Sequence, residues 1–434
     1  MPPHSASRST LLPAARAVAL RVLTSTLGKG ADAQAALDTV LSGKNAPDDR
    51  RDAALATELV YGHLRLKGRT EYILSRFLSR PDAVPPRLRL ALGLAAHEIL
   101  HLDRVPVYAS VNWAVDFAKD ESKGRLGGLF NAVLRKVAGL GDRVLDPNFY
   151  GRTTAEQWPR LHSCPEWLVR LWIEAYGSET AERYLAAQAQ APALGLIVRA
   201  DHPEADAART ALAADPALLD AAGNGFAFPG DVRPAALDTL PEGAVLRGSF
   251  ASRRALLALE PETWPGPVWD ACSGRGGKTR VLRELGLTVY ASDVHHGRLK
   301  ALHREQPDVP VFRAPADGSA PLREASASIL LDLPCSGLGV LSRRPDTKWK
   351  RTPADLTALS MLQAHILDKA FANLRPGGVL AVLTCTLNPE ENELLVRRFL
   401  SRTDGAAMEA TWSTPPDSPL GEFFWGARLR KNSF

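Results

Sequence analysis

Three glycines lie close together just after an apolar segment, where they can shape a ligand site. Residues 268–279 have the sequence Val-Trp-Asp-Ala-Cys-Ser-Gly-Arg-Gly-Gly-Lys-Thr, which predicts a strand, a tight turn and the start of a helix. Backbone N–H groups in such a turn can approach a ligand closely, because glycine has no side chain in the way. A phosphate-binding P-loop would need glycine at Cys272, and a dinucleotide fingerprint would need glycine at Thr279. A nucleoside-binding turn of the S-adenosylmethionine type is the interpretation that survives.

Two aspartates follow the next two predicted strands. Asp293 comes directly after the strand candidate 287–292, and Asp317 follows the strand candidate 309–312. A carboxylate at the end of the strand after a glycine turn can accept hydrogen bonds from both ribose hydroxyls, as in dinucleotide folds. Asp317 could reach an adenine amino group, although an isolated aspartate of this kind is more often a turn residue.

A carboxylate and two thiols are predicted at one edge of a sheet. The apolar residues 330–331 lead to Asp332 and Cys335, and the apolar residues 379–383 lead to Cys385. Because open α/β sheets bind ligands at the carboxyl ends of their strands, these three side chains are expected to converge. A single cysteine in such a strand would more often be a small buried hydrophobic residue. Two cysteines at strand ends indicate thiol chemistry. The whole chain has only four cysteines, which suits a reducing compartment.

Positive charge is concentrated in the first third of the chain. The net charge is +5, and residues 1–150 contain 21 lysines and arginines against 15 acidic residues. Between residues 65 and 89, seven basic residues face only two acidic ones, a density that suits a phosphate backbone. Such runs also occur on solvated helix surfaces. A second basic segment, which includes a tryptophan, follows Cys335. The predicted contacts to nucleic acid are Arg65, Arg69, Arg343, Arg344, Lys348 and Trp349.

Three segments with different sequence patterns must position these residues. Residues 1–145 have apolar side chains at helical spacing, which predicts an all-α domain. Residues 146–250 predict a helical bridge and a small α+β module, and residues 251–434 predict a parallel sheet wound with helices. No stretch approaches about 18 uninterrupted apolar residues, the length that a membrane span needs. The sequence therefore predicts a multidomain cytoplasmic protein with no membrane segment.

The motifs in the last segment resemble those of the Sun/RsmB/Nop-type RNA cytosine C5-methyltransferases. Besides the glycine turn, they are Asp-x-Pro-Cys-Ser-Gly at 332–337, Arg-Pro-Asp-x-Lys-Trp at 344–349 and Thr-Cys-x-x-x-Pro-Glu-Glu-Asn-Glu at 384–393. They occur in the same order in that family. The sequence at 423–429 also resembles the last strand of the family.

The N-terminal segment resembles the helical RNA-binding domain of the NusB type. The resemblance rests on three strings in the same order, at residues 59–65, 105–115 and 131–135. Together, the two resemblances imply an all-α NusB-like domain, a small α+β module and a Rossmann-like class I methyltransferase domain. They also favour RNA as the partner, and specifically small-subunit (16S) ribosomal RNA.

The family resemblance implies a role for each site residue. Cys385 is the expected nucleophile, Cys335 the thiol that assists release of a covalent intermediate, and Asp332 the group that holds the cytosine edge. Cytosine C5 is too weakly nucleophilic to attack a methylsulfonium directly, so a thiolate must first add to C6. S-adenosyl-L-methionine is the implied cofactor, and no metal is implied. The expected cofactor contacts are Cys272, Ser273, Gly274, Arg275, Gly276, Gly277, Lys278, Asp293, Arg298, Asp317 and Asp332.

Two positions depart from the family pattern. Arg275 stands where the family usually has proline, and Ser249-Phe250 stand where it usually has a Gln-Asp pair. The first departure adds a charge beside the cofactor turn, and the second concerns contacts to RNA more than chemistry. Two alternatives stay open, namely an RNA-binding ribosome assembly factor without turnover and an enzyme that modifies transfer RNA. A monomer is expected.

Overall fold

The computed structural model describes residues 12–44, 46–316 and 324–433. The chain divides into two compact units. The helical unit comprises the residues up to Arg170 together with Arg344–Lys350, and the mixed unit comprises Leu171–Arg343 and the residues from Arg351 onwards. The division into three domains at 145/146 and 250/251 stays a prediction.

The helical unit is an all-α bundle, which confirms the fold predicted for the N-terminal segment. Its apolar helix faces meet in one core that includes Leu59, Leu92 and Phe130, all fully buried. Asp32 and Asp49 cap two of its helices by accepting hydrogen bonds from first-turn N–H groups. The helices are α1 (Ala14–Lys29), α2 (Ala33–Leu41), α3 (Arg50–Ser75), α4 (Pro86–His101), α5 (Val107–Ser122), α6 (Gly127–Ala138) and α7 (Thr154–Leu161).

A small antiparallel sheet follows two further helices. Its strand order is β2-β3-β1-β4. Helix α10 lies between β1 and β2 in the chain, and α11 follows β4. The bounds are α8 (Glu166–Tyr176), α9 (Ser178–Gln188), β1 (Leu194–Val198), α10 (Ala205–Ala213), β2 (Asp220–Ala222), β3 (Gly225–Phe228), β4 (Val245–Arg247) and α11 (Phe250–Leu257).

A seven-stranded sheet with the order β10-β11-β9-β8-β5-β6-β7 forms the centre of the mixed unit. The five strands from β9 to β7 are parallel, and β11 and β10 are antiparallel to their neighbours. This arrangement confirms the Rossmann-like methyltransferase fold. The strand order reverses between β5 and β8, where open sheets form a crevice for ligands. The bounds are β5 (Val268–Asp270), α12 (Gly277–Glu284), β6 (Val289–Asp293), α13 (His296–Glu305), β7 (Val311–Arg313), β8 (Ser326–Asp332), α14 (Thr347–Lys350), α15 (Pro353–Ala372), β9 (Leu374–Thr384), α16 (Glu393–Leu400), β10 (Ala406–Ser413) and β11 (Trp425–Lys431).

The segment Arg344–Lys350, which contains α14, packs within the helical unit at an interruption of α3. Leu66 has non-helical backbone angles. In a regular helix the Gly68 N–H would donate to the Leu64 carbonyl. Here the Gly68 N–H donates to Ser163 Oγ at 2.8 Å, and the Leu64 carbonyl accepts from Trp349 Nε1 at 2.7 Å. The segment therefore satisfies a backbone group that the helix break leaves open.

Three histidines lie together in the core of the helical unit. The ring of His97 is 5.0 Å from that of His101 and 6.1 Å from that of His63. Each of the three has at least one ring nitrogen with no hydrogen-bond partner among the described residues. Burial lowers the pKa of His63 to about 3 and that of His101 to about 4, and it lowers the pKa of His97 as well. All three are neutral at physiological pH.

We expect acidification to loosen the helical unit below about pH 6.5. Because these histidines have lowered pKa values in the folded state, the unfolded chain binds more protons between about pH 4 and pH 6.5. Each such histidine then lowers the free energy of unfolding by about 1.4 kcal/mol per pH unit in that window. Amide hydrogen exchange in α4, corrected for intrinsic rates, should show decreasing protection from pH 7 to pH 5.

A histidine variant and a matched control test the cause. His97→Leu should flatten the pH dependence, because it removes a buried ring whose two nitrogens lack partners among the described residues. His303→Gln changes an exposed histidine of the mixed unit and should leave the dependence as it is. Constant protection of α4 across this pH range would contradict the prediction.

Candidate active site

The thiols of Cys335 and Cys385 are in contact at the carboxyl edge of the seven-stranded sheet. Cys335 follows β8 and Cys385 follows β9 directly. Their Sγ atoms are 3.2 Å apart, and the Cys385 N–H donates to Cys335 Sγ at 3.3 Å. Both cysteines are free and half-buried. The structure thus brings together the two thiols that the sequence predicts at this edge.

An ion pair between Lys278 and Asp332 lies at the same edge. Lys278 Nζ is 2.7 Å from Asp332 Oδ2 and 5.8 Å from the centre of the Phe424 ring. Burial opposes the charge of Lys278, but the Asp332 carboxylate, with help from Cys385, raises its pKa above the ordinary value. Lys278 is therefore a cation at neutral pH, although its side chain is nearly enclosed.

The glycine turn is anchored to Asp293, the last residue of β6. The Gly274 N–H donates to Asp293 Oδ2 at 3.0 Å, and the His295 N–H donates to Oδ1 at 2.7 Å. Each oxygen of a carboxylate can accept more than one hydrogen bond, so Asp293 can still accept from ribose hydroxyls. Gly276 has a φ of 81°, and a Cβ there would lie 2.6 Å from Leu302 Cγ. Glycine is therefore required at this point of the turn.

The other predicted cofactor residues surround this turn. Ser273 Oγ donates to the Ser292 carbonyl at 3.1 Å, and Arg275 is exposed. Arg298 is exposed, with a nitrogen 3.9 Å from Asp293 Oδ2. Asp317, the residue predicted to reach the adenine, lies outside the described residues. Cys272 and Gly274 lie in the segment between β5 and α12, and Gly277 and Lys278 are the first two residues of α12.

Asp270, the last residue of β5, is not among the site residues predicted from the sequence. Its Oδ2 accepts a hydrogen bond from Thr279 Oγ1 at 2.6 Å, but its Oδ1 has no partner among the described residues. Burial raises its pKa to about 7, in spite of the hydrogen bond from Thr279. A buried carboxylate oxygen without a partner suits a site that receives a donor from a ligand. Together with Asp293 and the glycine turn, it fits a nucleoside that carries an ammonium group.

Three of the predicted RNA contacts pack inside the helical unit. Lys348 is buried, and its Nζ donates to the Arg65 carbonyl at 2.8 Å. Trp349 packs against the core of the helical unit, and its indole N–H donates to the Leu64 carbonyl. The side chain of Arg65 is also buried. These contacts stabilise the packing of the segment Arg344–Lys350; Lys348 and Arg65 are buried, and Trp349 is half-buried.

The remaining predicted RNA contacts differ in their surroundings. Arg343 donates two hydrogen bonds to the Glu422 carboxylate, at 2.8 and 2.7 Å, so its charge is balanced within the mixed unit. The guanidinium of Arg69 lies 5.4 Å from the centre of the Tyr150 ring. Arg344 is exposed, 3.7 Å from Asp32. Arg69 and Arg344 stay predictions.

A cleft of about 650 Å³ in the helical unit combines arginines with aromatic rings. The guanidinium of Arg76 lies 5.0 Å from the centre of the Phe149 ring and 6.0 Å from that of Tyr72. Arg143 and Arg152 are exposed at its rim. Arg143 and Arg152 are not among the predicted RNA contacts, because they lie outside the densest basic run of the sequence. The lining residues are Tyr72, Arg76, Arg143, Asp146, Asn148, Phe149, Gly151, Arg152 and Glu156.

Two family models match separate parts of the chain. The model described as 16S rRNA methyltransferase RsmB/F matches residues 255–424, and the model of the NusB family matches residues 13–139. The first match contains the thiols and the glycine turn. The second lies within the helical unit.

Known proteins resemble the chain over most of its length. Ribosomal RNA small subunit methyltransferase B of Enterobacter sp. (strain 638) is 32% identical over 389 residues, which cover 85% of this chain and 86% of that protein. The protein of the same name from Pasteurella multocida (strain Pm70) is 30% identical over 450 residues, covering 98% and 97%. The crystal structure of PH0851 has a TM-score of 0.73 at 21% identity, covers 97% of this chain and 99% of that one, and supports the fold.

We expect a mild thiol oxidant such as diamide to join Cys335 to Cys385. The Sγ atoms are 3.2 Å apart, and a disulfide needs about 2.05 Å, so a small movement suffices. Peptide mass spectrometry without reduction should identify one cross-linked pair. The Cys272→Ala variant should give the same product at the same rate, and the Cys335→Ala variant should give none. A dominant cross-link through Cys272 would contradict this geometry.

Proposed function

The chain belongs to the ribosomal RNA small subunit methyltransferase B family, and on that premise we propose that it methylates C5 of a cytosine in small-subunit (16S) ribosomal RNA. The proposed methyl donor is S-adenosylmethionine. One observation carries the proposal: two thiols are in contact beside the Lys278–Asp332 ion pair. Transfer to a base nitrogen or a ribose oxygen needs no protein nucleophile. Cytosine C5 does need one, because the carbon must first gain electron density.

The charges around the two thiols support Cys385 as the nucleophile. Its thiolate and the Lys278 ammonium attract each other, which contributes to the raised pKa of Lys278. The pKa of Cys335 is raised well above its usual value by its hydrogen bond with Cys385, by burial, and by the charges of Cys385 and Glu391. Cys335 therefore keeps its proton while Cys385 attacks.

The reaction then uses the thiols in turn. Cys385 Sγ adds to C6, and the electron pair of the C5=C6 bond moves to C5, which accepts the methyl group. When bound, S-adenosylmethionine supplies that methyl group from a positively charged sulfur. Asp332, held by Lys278, accepts a hydrogen bond from the cytosine edge.

Release of the product depends on Cys335. Once Cys385 is bonded to C6, it carries no charge and no longer shares a proton with Cys335, so the main cause of the raised pKa of Cys335 disappears. Cys335 can then lose its proton to solvent and remove the proton from C5. The C5=C6 double bond forms again, and the bond between C6 and Cys385 breaks.

The residues of the glycine turn are proposed to hold the methyl donor. Asp293 would accept from the ribose hydroxyls, and Oδ1 of Asp270, which has no partner among the described residues, offers an acceptor for the ammonium group of the methionine part. The N–H groups between Cys272 and Lys278 would surround that part. Both carboxylates lie at the ends of adjacent parallel strands, β5 and β6.

We expect the two cysteine variants to fail at different steps. Cys385→Ala should abolish methylation and leave the affinity for S-adenosylmethionine within a few-fold, because the thiol acts on the base. Cys335→Ala should accumulate a complex of protein and methylated 16S RNA that survives denaturing electrophoresis, since the C5 proton is not removed. The double variant should lose this band, and Cys164→Ala, which changes a buried cysteine of the helical unit, should behave like the wild type.

The same experiment separates the alternatives. Accumulation of the complex in Cys385→Ala, with dependence on Cys335, would reverse the two roles. A stable complex with transfer RNA and none with 16S RNA would change the substrate. Binding of RNA with no methyl transfer by the wild type would indicate an assembly factor without turnover.

The cleft in the helical unit is the proposed contact to single-stranded RNA. Its arginines suit phosphates, and the rings of Tyr72 and Phe149 suit a stacked base. Arg143 and Arg152 are exposed among its lining residues, whereas Arg65 is buried elsewhere in the helical unit. This location adds Arg143 and Arg152, which follow α6, to the expected phosphate contacts near the end of α3.

We expect the double variant Arg143→Gln, Arg152→Gln to reduce the salt dependence of RNA binding. Each lost phosphate contact should lower the slope of log affinity against log salt by about 0.7 for a single strand. The slope should therefore fall by about 1.4 for two contacts, measured by fluorescence anisotropy. Arg104→Gln, at an exposed position outside the cleft, is the matched control. An unchanged slope in the double variant would place the phosphate contacts elsewhere.

A further inference from the structure

Glu391 is a fully buried carboxylate that receives hydrogen bonds from several directions. Its Oε2 accepts from the Ser336 N–H at 2.8 Å and from Gln363 Nε2 at 2.9 Å. Its Oε1 accepts from Ser336 Oγ at 2.5 Å, from Asn388 Nδ2 at 3.0 Å and from Thr386 Oγ1 at 3.4 Å. Each of these partners is a neutral donor. The carboxylate is therefore compensated by hydrogen bonds, as burial of a charge requires.

The donors include residues of the two loops that carry the thiols. Ser336 directly follows Cys335, and Thr386 directly follows Cys385. The hydroxyl groups of Ser336 and Thr386 are also 2.7 Å apart. One side chain thus connects the residue after the first thiol to the residue after the second.

We propose that Glu391 is a positioning residue that fixes the contact between the two thiols and distinguishes their roles. The inference rests on the proposed function for the roles of the thiols, but the positioning itself does not depend on methyl transfer. Among the described residues, no hydrogen bond joins Glu391 to either sulfur, so it acts through Ser336 and Thr386. In the sequence, Glu391 stands out only as part of a motif, because its partners Ser336 and Gln363 come from distant parts of the chain.

The charge of Glu391 adds an electrostatic effect to this geometry. It contributes to the raised pKa of Cys335, after the hydrogen bond with Cys385, burial and the charge of Cys385. When Cys385 is bonded to the base, Glu391 and burial are the causes that remain. A negative charge near Cys335 then makes its thiolate a stronger base for the C5 proton.

The substitution Glu391→Gln separates this role from general packing. Glutamine has nearly the same shape, but it is uncharged, and an NH₂ group in place of Oε2 would face the Ser336 N–H and Gln363 Nε2, which cannot accept from it. The neighbouring substitution Glu390→Gln is the matched control, since Glu390 is exposed and pairs with Arg398 at 2.6 Å. Both variants should keep their affinity for S-adenosylmethionine, which reports that the mixed unit is folded.

The first measurement is the rate at which diamide joins Cys335 to Cys385. Glu391→Gln should slow this cross-link by at least about tenfold relative to Glu390→Gln, because the loops lose their common anchor. Methylation in a single turnover should fall by a similar factor, with the KM for RNA within about twofold of the control. If Glu391→Gln does not fold, Ser336→Ala removes the hydroxyl bonds to Glu391 and Thr386 and should slow the cross-link in the same direction.

The second measurement reports the ionisation of Cys335, to which the charge of Glu391 contributes. In a Cys385→Ala background, alkylation of Cys335 should reach half its maximal rate at a lower pH in Glu391→Gln than in Glu390→Gln. Equal midpoints together with equal cross-linking rates would overturn the proposal. If the wild type transfers no methyl group to RNA but Glu391→Gln still slows the cross-link, the positioning role is supported and the proposed function is refuted.

Discussion

Parallel pairing of β8 with β9 is the constraint on which the active site depends. Asp332 at the end of β8 pairs in register with Leu383 of β9, and the Leu333 N–H donates to the Leu383 carbonyl at 2.9 Å. Both strands therefore end at the same edge, and the loops that follow must run side by side. The loop after β8 returns at Gly339, whose N–H donates to the Cys385 carbonyl at 2.9 Å. The contact between the thiols is a consequence of this register, which Glu391 then secures.

Charged side chains surround the two thiols that the strand register brings together. Lys278 is carried to the edge by α12, and Asp332 keeps it protonated despite burial. One thiol thus lies near a cation, while the other lies near the carboxylate of Glu391. The hydrogen bond with Cys385, burial and the charges of Cys385 and Glu391 raise the pKa of Cys335 well above its usual value. Under the proposed function, the different surroundings of the two thiols give them an order of action that their sequence positions alone do not provide.

The parts of the structure that the sequence could predict are those encoded locally. Alternating strands, glycine turns and helices predict a parallel sheet, and strand ends predict where Asp293, Asp332 and Cys385 lie. The segment Arg344–Lys350 could not be placed in this way. Its basic and aromatic residues suit RNA equally well, and their partner is a helix break at Leu66, which has no sequence signature. Glu391 was missed for a related reason, because its role requires two loops to meet in space.

Two buried lysines show how far the same residue type can differ with its partners. Lys278 has a carboxylate at 2.7 Å, and its pKa is raised. Lys348 donates to a backbone carbonyl and lies near Arg65 and Lys67, so burial and these charges lower its pKa to about 8. The first therefore provides a permanent charge for chemistry, whereas the second is held mainly by hydrogen bonding and packing.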